Sequence, residues 1–254
     1  MSEKSYDRRS LKSLFSNGER PNAQNFGSLI DSMVNKVDDG ISKTPKEGLI
    51  LAPGGSSTDK VLSFKNKIQD DVAKWSFELK EENNESLAVV QPISENESKT
   101  RLFFSKSGNI GVHTETPKTD LEVRGITGIE SRVGTFMMGS VKADRGWHDI
   151  TPSLNGSNAF EIMAYVGKEK HGRYALVHAH ALSTFGGSKG RIRKTQASYK
   201  WWWWDRISFR WVGTTYKYKL QIRTRSNYGN GIEIKYHITK LWDSDILECI
   251  SQNS

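Results

Sequence analysis

The sequence predicts a mainly β protein that begins with a short helix, continues into a β-rich middle and ends in a jelly-roll-like β-sandwich. Three observations support this fold class. Short apolar runs alternate with polar residues and are separated by loops rich in Gly, Asn and Ser. One stretch, residues 26–37, repeats its apolar residues at helical spacing. The 254 residues are only 35% hydrophobic, with a mean hydropathy of -0.62, which favours an elongated or oligomeric molecule.

The first segment, residues 1–43, is a polar tail followed by the predicted helix. Asn22 or Asn25 can cap the start of this helix, and Gly40 can end it. A helix this short with a single apolar stripe is only marginally stable on its own. We therefore expect it to pack against copies of itself or a partner. The apolar stripe consists of Phe26, Leu29, Ile30, Met33, Val34 and Val37.

The chain carries no pattern typical of a membrane or secreted protein. No apolar run approaches the length of a membrane span. The N-terminal residues lack the apolar core and cleavage site of a signal peptide, so we expect synthesis in the cytoplasm without membrane insertion. The single cysteine, Cys249, excludes a disulfide framework and a cysteine-based zinc site.

The middle segment, residues 44–128, predicts several short strands. Polar loops such as "APGGSSTDK" and "KEENNES" separate its apolar runs. Turn residues surround Gly108 and Pro117, and they separate a strand ending "RLFFS" from the short strands "IGV" and "DLEVRG". The earlier predicted strands are "GLILA", "KVLSF", "WSFEL" and "LAVVQPI".

The end of this segment resembles a known fibre module. Residues 107–125, "SGNIGVHTETPKTDLEVRG", are similar to the Gly-Asn-Val-Gly-Ile-Gly-Thr-x-x-Pro-x-x-x-Leu-x-Val-x-Gly module of phage tail fibres and related bacterial adhesins. His113 replaces the usual glycine. The resemblance covers roughly residues 49–125 and implies a trimeric β-structured stalk. The matching positions are Gly108, Asn109, Ile110, Gly111, Val112, Thr114, Pro117, Leu121, Val123 and Gly125.

The third segment, residues 129–254, predicts a β-sandwich head of many short strands. It resembles the terminal domain of fibre proteins encoded with phage-tail-like contractile injection systems. Residues 1–130 hold 18 basic and 20 acidic residues, whereas residues 131–254 hold 19 basic and 9 acidic ones. This asymmetry favours an anionic partner for the C-terminal half, with a merely solvated basic surface as the alternative.

The stretch "SYKWWWWDRISFRWVG", residues 198–213, predicts a strand with two different faces. Alternation places Tyr199, Trp201, Trp203, Ile207, Phe209 and Trp211 on a core face. A turn at residues 204–206 would reset this alternation. The opposite face and the neighbouring strand "YKYKLQIRTR" supply the candidate ligand-binding residues Trp202, Trp204, Arg206, Arg210, Lys217, Lys219, Arg223 and Arg225.

A basic face with outward tryptophans suits three kinds of partner. Sugars stack on indole rings while their acidic groups meet Arg. Nucleic acid uses similar contacts, but no recognisable nucleic-acid module is present, which disfavours it. Packing between subunits would bury the indoles instead and remains open.

Two histidines in "HAHAL", His178 and His180, lie two residues apart and therefore on one face of a strand. In trimeric phage fibres such a pair from three chains can hold an axial metal ion, so the resemblance implies a metal at the trimer axis. The alternative is two ordinary packed histidines. No other cofactor is expected.

The sequence favours a non-enzymatic protein. It contains neither a Gly-x-Ser-x-Gly elbow nor a His-Glu-x-x-His motif. Glycosidase pairs could be assembled from Glu161 with Asp149 or from Asp205 with Glu233, but the C-terminal segment is poor in acids.

The expected function is that of a homotrimeric tail-fibre or adhesin subunit of a phage tail or phage-like contractile injection particle. Its helix would attach to a baseplate or tail protein. Its head would bind a receptor on the target cell, such as an anionic glycan. The alternatives are a purely structural baseplate or stalk component and a soluble lectin-like carbohydrate-binding protein.

Overall fold

The protein is mainly β, as the sequence predicts, with two short helices and sixteen strands among the residues described. A computed structural model describes residues 6–36, 38–52, 60–80, 86–94, 97–170, 172–199 and 204–242. The chain divides into two compact units, Met1–Ile126 and Thr127–Ser254. The predicted segments 1–43 and 44–128 thus fall almost wholly in the first unit, and the predicted head corresponds to the second.

The predicted helix is present but shorter than expected. Helix α2 (Ala23–Asp31) is capped by Asn22, whose Oδ1 accepts a hydrogen bond from the backbone N of Asn25 at 2.9 Å. It ends at Asp31, and Met33 and Val34 follow it as exposed residues without packing that would favour another turn. Val37 lies outside the described residues.

A second helix, α1 (Arg8–Leu14), forms within the stretch expected to be a polar tail. Asp7 caps it, with its Oδ1 accepting from the backbone N of Ser10 at 2.7 Å. The rings of Phe15 and Phe26 meet edge to face with centroids 5.3 Å apart, and this contact joins the two helices. Sequence periodicity alone misses α1 because its apolar side chains are few.

Every strand predicted in the middle segment is present. A hairpin, β1 paired with β2, precedes a six-stranded sheet with the order β3-β4-β5-β6-β7-β8. Its neighbours are antiparallel except β7 and β8, which are parallel. The strands of this unit are β1 (Ile41–Thr44), β2 (Gly48–Leu51), β3 (Lys60–Phe64), β4 (Trp75–Lys80), β5 (Ser86–Pro92), β6 (Ser98–Phe104), β7 (Ile110–Val112) and β8 (Leu121–Val123).

The glycine-rich motif has a clear steric basis in the turn after β7. A Cβ atom on Gly111 would lie 2.2 Å from the backbone O of Thr114, so only glycine fits without a shift. Buried Asn109 donates its Nδ2 to the backbone O of Pro117 at 3.2 Å and thereby ties the two turns together. His113 has a φ of 58°, a left-handed conformation that glycine adopts without a Cβ penalty.

The second unit is a two-sheet sandwich. One sheet has the order β13-β12-β11-β16-β9 and the other β10-β15-β14. Strands β11, β12 and β13 are consecutive in sequence and are neighbours in the first sheet. Strands that precede them in sequence pair with strands that follow them, β9 with β16 and β10 with β15. The strands are β9 (Met137–Lys142), β10 (His148–Asp149), β11 (Ser157–Lys168), β12 (Arg173–Thr184), β13 (Arg191–Ser198), β14 (Ile207–Thr214), β15 (Lys217–Thr224) and β16 (Glu233–Trp242).

The core of this unit lies between the two sheets. The inner face of the five-stranded sheet contributes Phe160, Ile162 and Val177, and that of the three-stranded sheet contributes Leu220 and Ile222, all fully buried. Burying each such side chain stabilises the fold by about 1.5–3 kcal/mol. Because side chains alternate along a strand, each sheet also has an outward face, and six of the candidate site residues lie on these faces: Arg210, Lys217, Lys219, Arg223, His178 and His180.

Candidate binding surfaces

The outer face of the three-stranded sheet carries most of the predicted ligand-binding cations. Along β14 the core positions Ile207, Phe209 and Trp211 alternate with exposed Arg210, as predicted. Along β15 the buried residues alternate with a second outward row that includes Lys217, Lys219 and Arg223. We call this surface, formed by Arg210, Lys217, Lys219, Gln221 and Arg223 with Trp147 and Asp149, the basic face.

Trp147 is the aromatic group of the basic face, and the sequence analysis missed it. The Cζ atoms of Arg210 and Arg223 lie 4.3 Å and 4.4 Å from the centroid of its ring, within the range of cation–π attraction. Trp147 precedes β10, a two-residue strand whose pairing with β15 spans about 70 residues of sequence. The tryptophan therefore reaches the face through a long-range contact that local alternation does not reveal.

A hydrogen-bonded chain fixes the polar side chains of the basic face. Asp149 accepts from Lys219 Nζ at 2.8 Å and from Gln221 Nε2 at 2.7 Å. Gln221 Oε1 in turn accepts from Arg210 Nε at 2.8 Å. The hydrogen bond from Lys219, followed by the one from Gln221, lowers the pKa of Asp149. Arg223 Nε is buried and has no hydrogen-bond partner within the described part of the chain.

Arg206 and Arg225 lie at the far end of the same hairpin. The backbone N of Arg225 donates to the backbone O of Arg206 at 2.8 Å, and both residues are exposed. Lys194, from β13, donates its Nζ to the backbone O of Ile207 at the edge of β14. Burial lowers the pKa of Lys194, and repulsion from Arg225 and Arg206 lowers it further. Lys194 therefore lies close enough to Arg225 and Arg206 to be repelled by both.

The tryptophan run is only partly described. Trp202, predicted to bind ligand, lies outside the described residues, as do Trp201 and Trp203. Trp204 is in a turn and is 37% exposed. A turn at residues 204–206, which the sequence analysis left open, is present: its central residue, Asp205, is buried and accepts a hydrogen bond from Arg173 Nη2 at 2.8 Å.

One residue assigned to the core is on the surface. Tyr199 was expected to share the core face of β14, but it is 52% exposed. Strand β13 ends at Ser198, so Tyr199 lies outside the strand and does not share its alternation. The Tyr199 ring instead meets Tyr174 edge to face, with centroids 6.1 Å apart.

The outer face of the five-stranded sheet carries His178 and His180, which share that face as predicted. Glu161 on β11 is the Cα partner of His180 on β12, and its Oε1 lies 2.9 Å from His178 Nε2. Glu161 also forms an ion pair with Arg132. The hydrogen bond with His178, with smaller contributions from the Arg132, His178 and His180 charges, lowers the pKa of Glu161. We call Glu161, His178 and His180 the histidine cluster.

Apolar side chains surround the histidine cluster on this outer face. Tyr165, Leu176, Leu182 and Leu241 are each between 42% and 51% exposed. A cleft of about 590 Å³ beside His180 is lined by Leu182 and Leu241 together with the cations of the β13 edge. An exposed apolar sheet face of this kind is typical of a surface that another molecule or subunit covers.

The carboxylates considered as glycosidase pairs have separate contacts. Asp149 belongs to the basic face and Glu161 to the histidine cluster, on opposite sheets of the sandwich. Asp205 is buried against Arg173, and Glu233 accepts from Ser140 Oγ at 2.6 Å. Asp149 and Glu161 are therefore not brought together, and Asp205 and Glu233 contact different residues.

Comparison with known protein families finds no matching family model, and comparison with curated proteins finds no similar sequence. Within the described ranges, no helix is long and apolar enough to cross a membrane.

Proposed function

We propose that this chain is a non-enzymatic fibre or adhesin subunit of a phage tail or phage-like injection particle. Its head binds an anionic glycan on a target surface through the basic face. The observation that carries this proposal is the pair of guanidinium groups over the Trp147 ring. Cation–π attraction holds both guanidinium groups at this ring, and a guanidinium can donate two N–H groups to one carboxylate or sulfate.

Two further features of the basic face support an anionic ligand. Arg210 is exposed and donates its Nε to Gln221, and within the described residues its Nη groups have no hydrogen-bond partner, so they can donate to a ligand. Lys217 extends the face, and Arg206 and Arg225 at the hairpin end extend the positive charge beyond it. Asp149 compensates this positive charge only locally, because its carboxylate oxygens accept hydrogen bonds from Lys219 and Gln221.

The particle assignment rests on the resemblance of residues 107–125 to fibre modules. The roles of Gly111 and Asn109 in the turns are consistent with it, as is a left-handed His113 where the family has glycine. Helix α2 exposes Phe26 and Ile30, which suits docking on a baseplate or tail protein.

Retention on immobilised polysaccharide tests the glycan site. We expect the purified protein to bind a carboxylated or sulfated polysaccharide but not a neutral one, and to elute with salt. Arg210→Gln with Arg223→Gln should weaken retention at least tenfold, because both guanidinium groups are lost from the site.

Lys142→Gln with Lys235→Gln is the matched control, since it removes two exposed cations from the other sheet. An equal loss of retention in both double variants would indicate attraction to net charge alone and would contradict the site on the basic face.

The structural alternative draws on the exposed apolar face around the histidine cluster. In that alternative, the head would only hold a trimer together within a stalk or baseplate. The variant Arg210→Gln with Arg223→Gln separates the two hypotheses: a purely structural head predicts unchanged retention, whereas the binding proposal predicts an intact assembly with weaker retention.

A further inference from the structure

The histidine cluster has the composition and spacing of a metal site within a single chain. Strand pairing places Glu161 directly opposite His180, and alternation places His178 on the same face two residues earlier. One ligand atom from each of the three residues lies within 4.8 Å of the others. We propose that Glu161, His178 and His180 of one chain together bind one divalent transition-metal ion, with Zn²⁺ as the reference ion.

The donor set determines the class of metal. Two imidazole nitrogens and one carboxylate oxygen favour Zn²⁺, Co²⁺, Ni²⁺ or Cu²⁺ over Mg²⁺ and Ca²⁺, which prefer oxygen ligands alone. The separation of 2.9 Å between His178 Nε2 and Glu161 Oε1 is close to the roughly 3.3 Å between neighbouring ligands of a tetrahedral zinc ion. The His180 ring, whose centroid lies 4.9 Å from that of His178, offers the third ligand atom.

Two arginines near the cluster have opposite effects on metal binding. Arg132 pairs with Glu161 Oε2, which leaves Oε1 to the metal and orients the carboxylate as an outer-shell partner does. Arg193 on β13 is the pairing partner of His180 and lies on the same face, so its positive charge repels the metal ion. The cluster is partly exposed, so water or a ligand atom can take the fourth position.

This site does not depend on the proposed function and differs from an axial site shared by three chains. All of its ligands come from one chain, so it predicts one ion per chain whatever the oligomeric state. A site on a trimer axis would instead hold one ion per three chains.

The test uses untagged, full-length protein stripped with a chelator and then titrated with Co²⁺ and Zn²⁺. We expect one Co²⁺ per chain with a visible absorption spectrum, displaced by Zn²⁺, and a higher melting temperature with Zn²⁺. His178→Gln, His180→Gln and Glu161→Gln should each lower the affinity at least about tenfold, since even the loss of outer-shell partners has effects of that size. His148→Gln, on the other sheet, should leave it unchanged.

Circular dichroism of each stripped variant separates lost ligation from lost folding. His180 is exposed, so its substitution leaves the core intact and provides a clean comparison. A stoichiometry of one ion per three chains would overturn the single-chain site. Unchanged affinity in folded His178→Gln and His180→Gln variants would overturn the ligand assignment.

Discussion

His113 shows how one residue can carry the geometry of a whole motif. Its φ of 58° belongs to the left-handed region, where a Cβ atom meets the following carbonyl oxygen. The fibre module that this stretch resembles has glycine at this point, and glycine adopts this conformation without that contact. Histidine is therefore tolerated here at some expense in stability.

We predict that His113→Gly is more stable than His113→Ala by about 1 kcal/mol. Both substitutions remove the same imidazole and its contact with Arg101, so they differ only in the Cβ atom. The measurement is urea unfolding, together with hydrogen exchange of the amides in β6 to β8.

Thr119, an exposed residue of the same motif, provides the control. Its φ is not positive, so there the alanine variant should be the more stable one because alanine restricts the unfolded chain more. A His113→Ala variant as stable as His113→Gly would contradict the strain at this position.

The positions of some site residues could be predicted from the pattern of a single strand, and those of others could not. The outward direction of Arg210 and the shared face of His178 and His180 follow from alternation within one strand. Trp147 and Glu161 join their sites through strand pairs, β10 with β15 and β11 with β12. Alternation along a strand predicts the face on which a residue lies but not which strand pairs with it. These two residues were therefore not predictable as members of the sites.

At the scale of elements, strands were predicted better than helices. The strands β11, β12, β14, β15 and β16 have clear alternation because one face of each is buried in a common core. Helix α2 was predicted too long because apolar spacing continued beyond Asp31 without a core to pack against. Tyr199 was misplaced because alternation was extended past the end of a strand.

The short strand β10 supplies the carboxylate that balances the basic face, which makes the stability of this sheet depend on pH. Hydrogen bonds from Lys219 and Gln221 lower the pKa of Asp149 below its ordinary value of 3.8. A lowered folded-state pKa means that the stabilisation is complete above pH 3.8 and is lost as the pH falls through the folded-state value.

We predict that Asp149→Asn is less stable than the unmodified protein at neutral pH and approaches it in stability at the acidic end. Urea unfolding at low salt, from neutral pH down to below pH 3.8, measures the difference. The effect should be modest because the Asp149 side chain is 41% exposed and solvent screens the pair.

Asn230→Ala, at an exposed position of the same unit and without a titrating side chain, is the control and should show a constant difference over this range. A constant difference for Asp149→Asn as well would mean that Asp149 does not stabilise the sheet through its charge.

At the scale of the whole molecule, two outward surfaces of the second unit have different chemistry. The basic face is charged and hydrogen-bonded, which suits a ligand dissolved in water or displayed on a surface. The face around the histidine cluster exposes Leu176, Leu182 and Leu241, which suits burial against a second copy of the chain. Self-association through the second surface would leave the first one accessible.

The fibre module that residues 107–125 resemble is trimeric, so on the proposed function we predict a trimer in solution, with a mass about three times the 28.7 kDa of one chain. Leu176→Glu with Leu182→Glu should reduce the mass to that of the monomer, because two carboxylates would be buried without partners in the interface. Light scattering on freshly purified full-length protein measures both masses.

Val212→Glu, on the outer side of the three-stranded sheet, is the matched control and should leave the mass unchanged. A double variant with the same mass as the unmodified protein would place the interface elsewhere. An unmodified protein of 28.7 kDa would contradict the trimeric fibre. The basic face and the single-chain metal site would then belong to a monomeric lectin-like protein, since neither of them requires a second subunit.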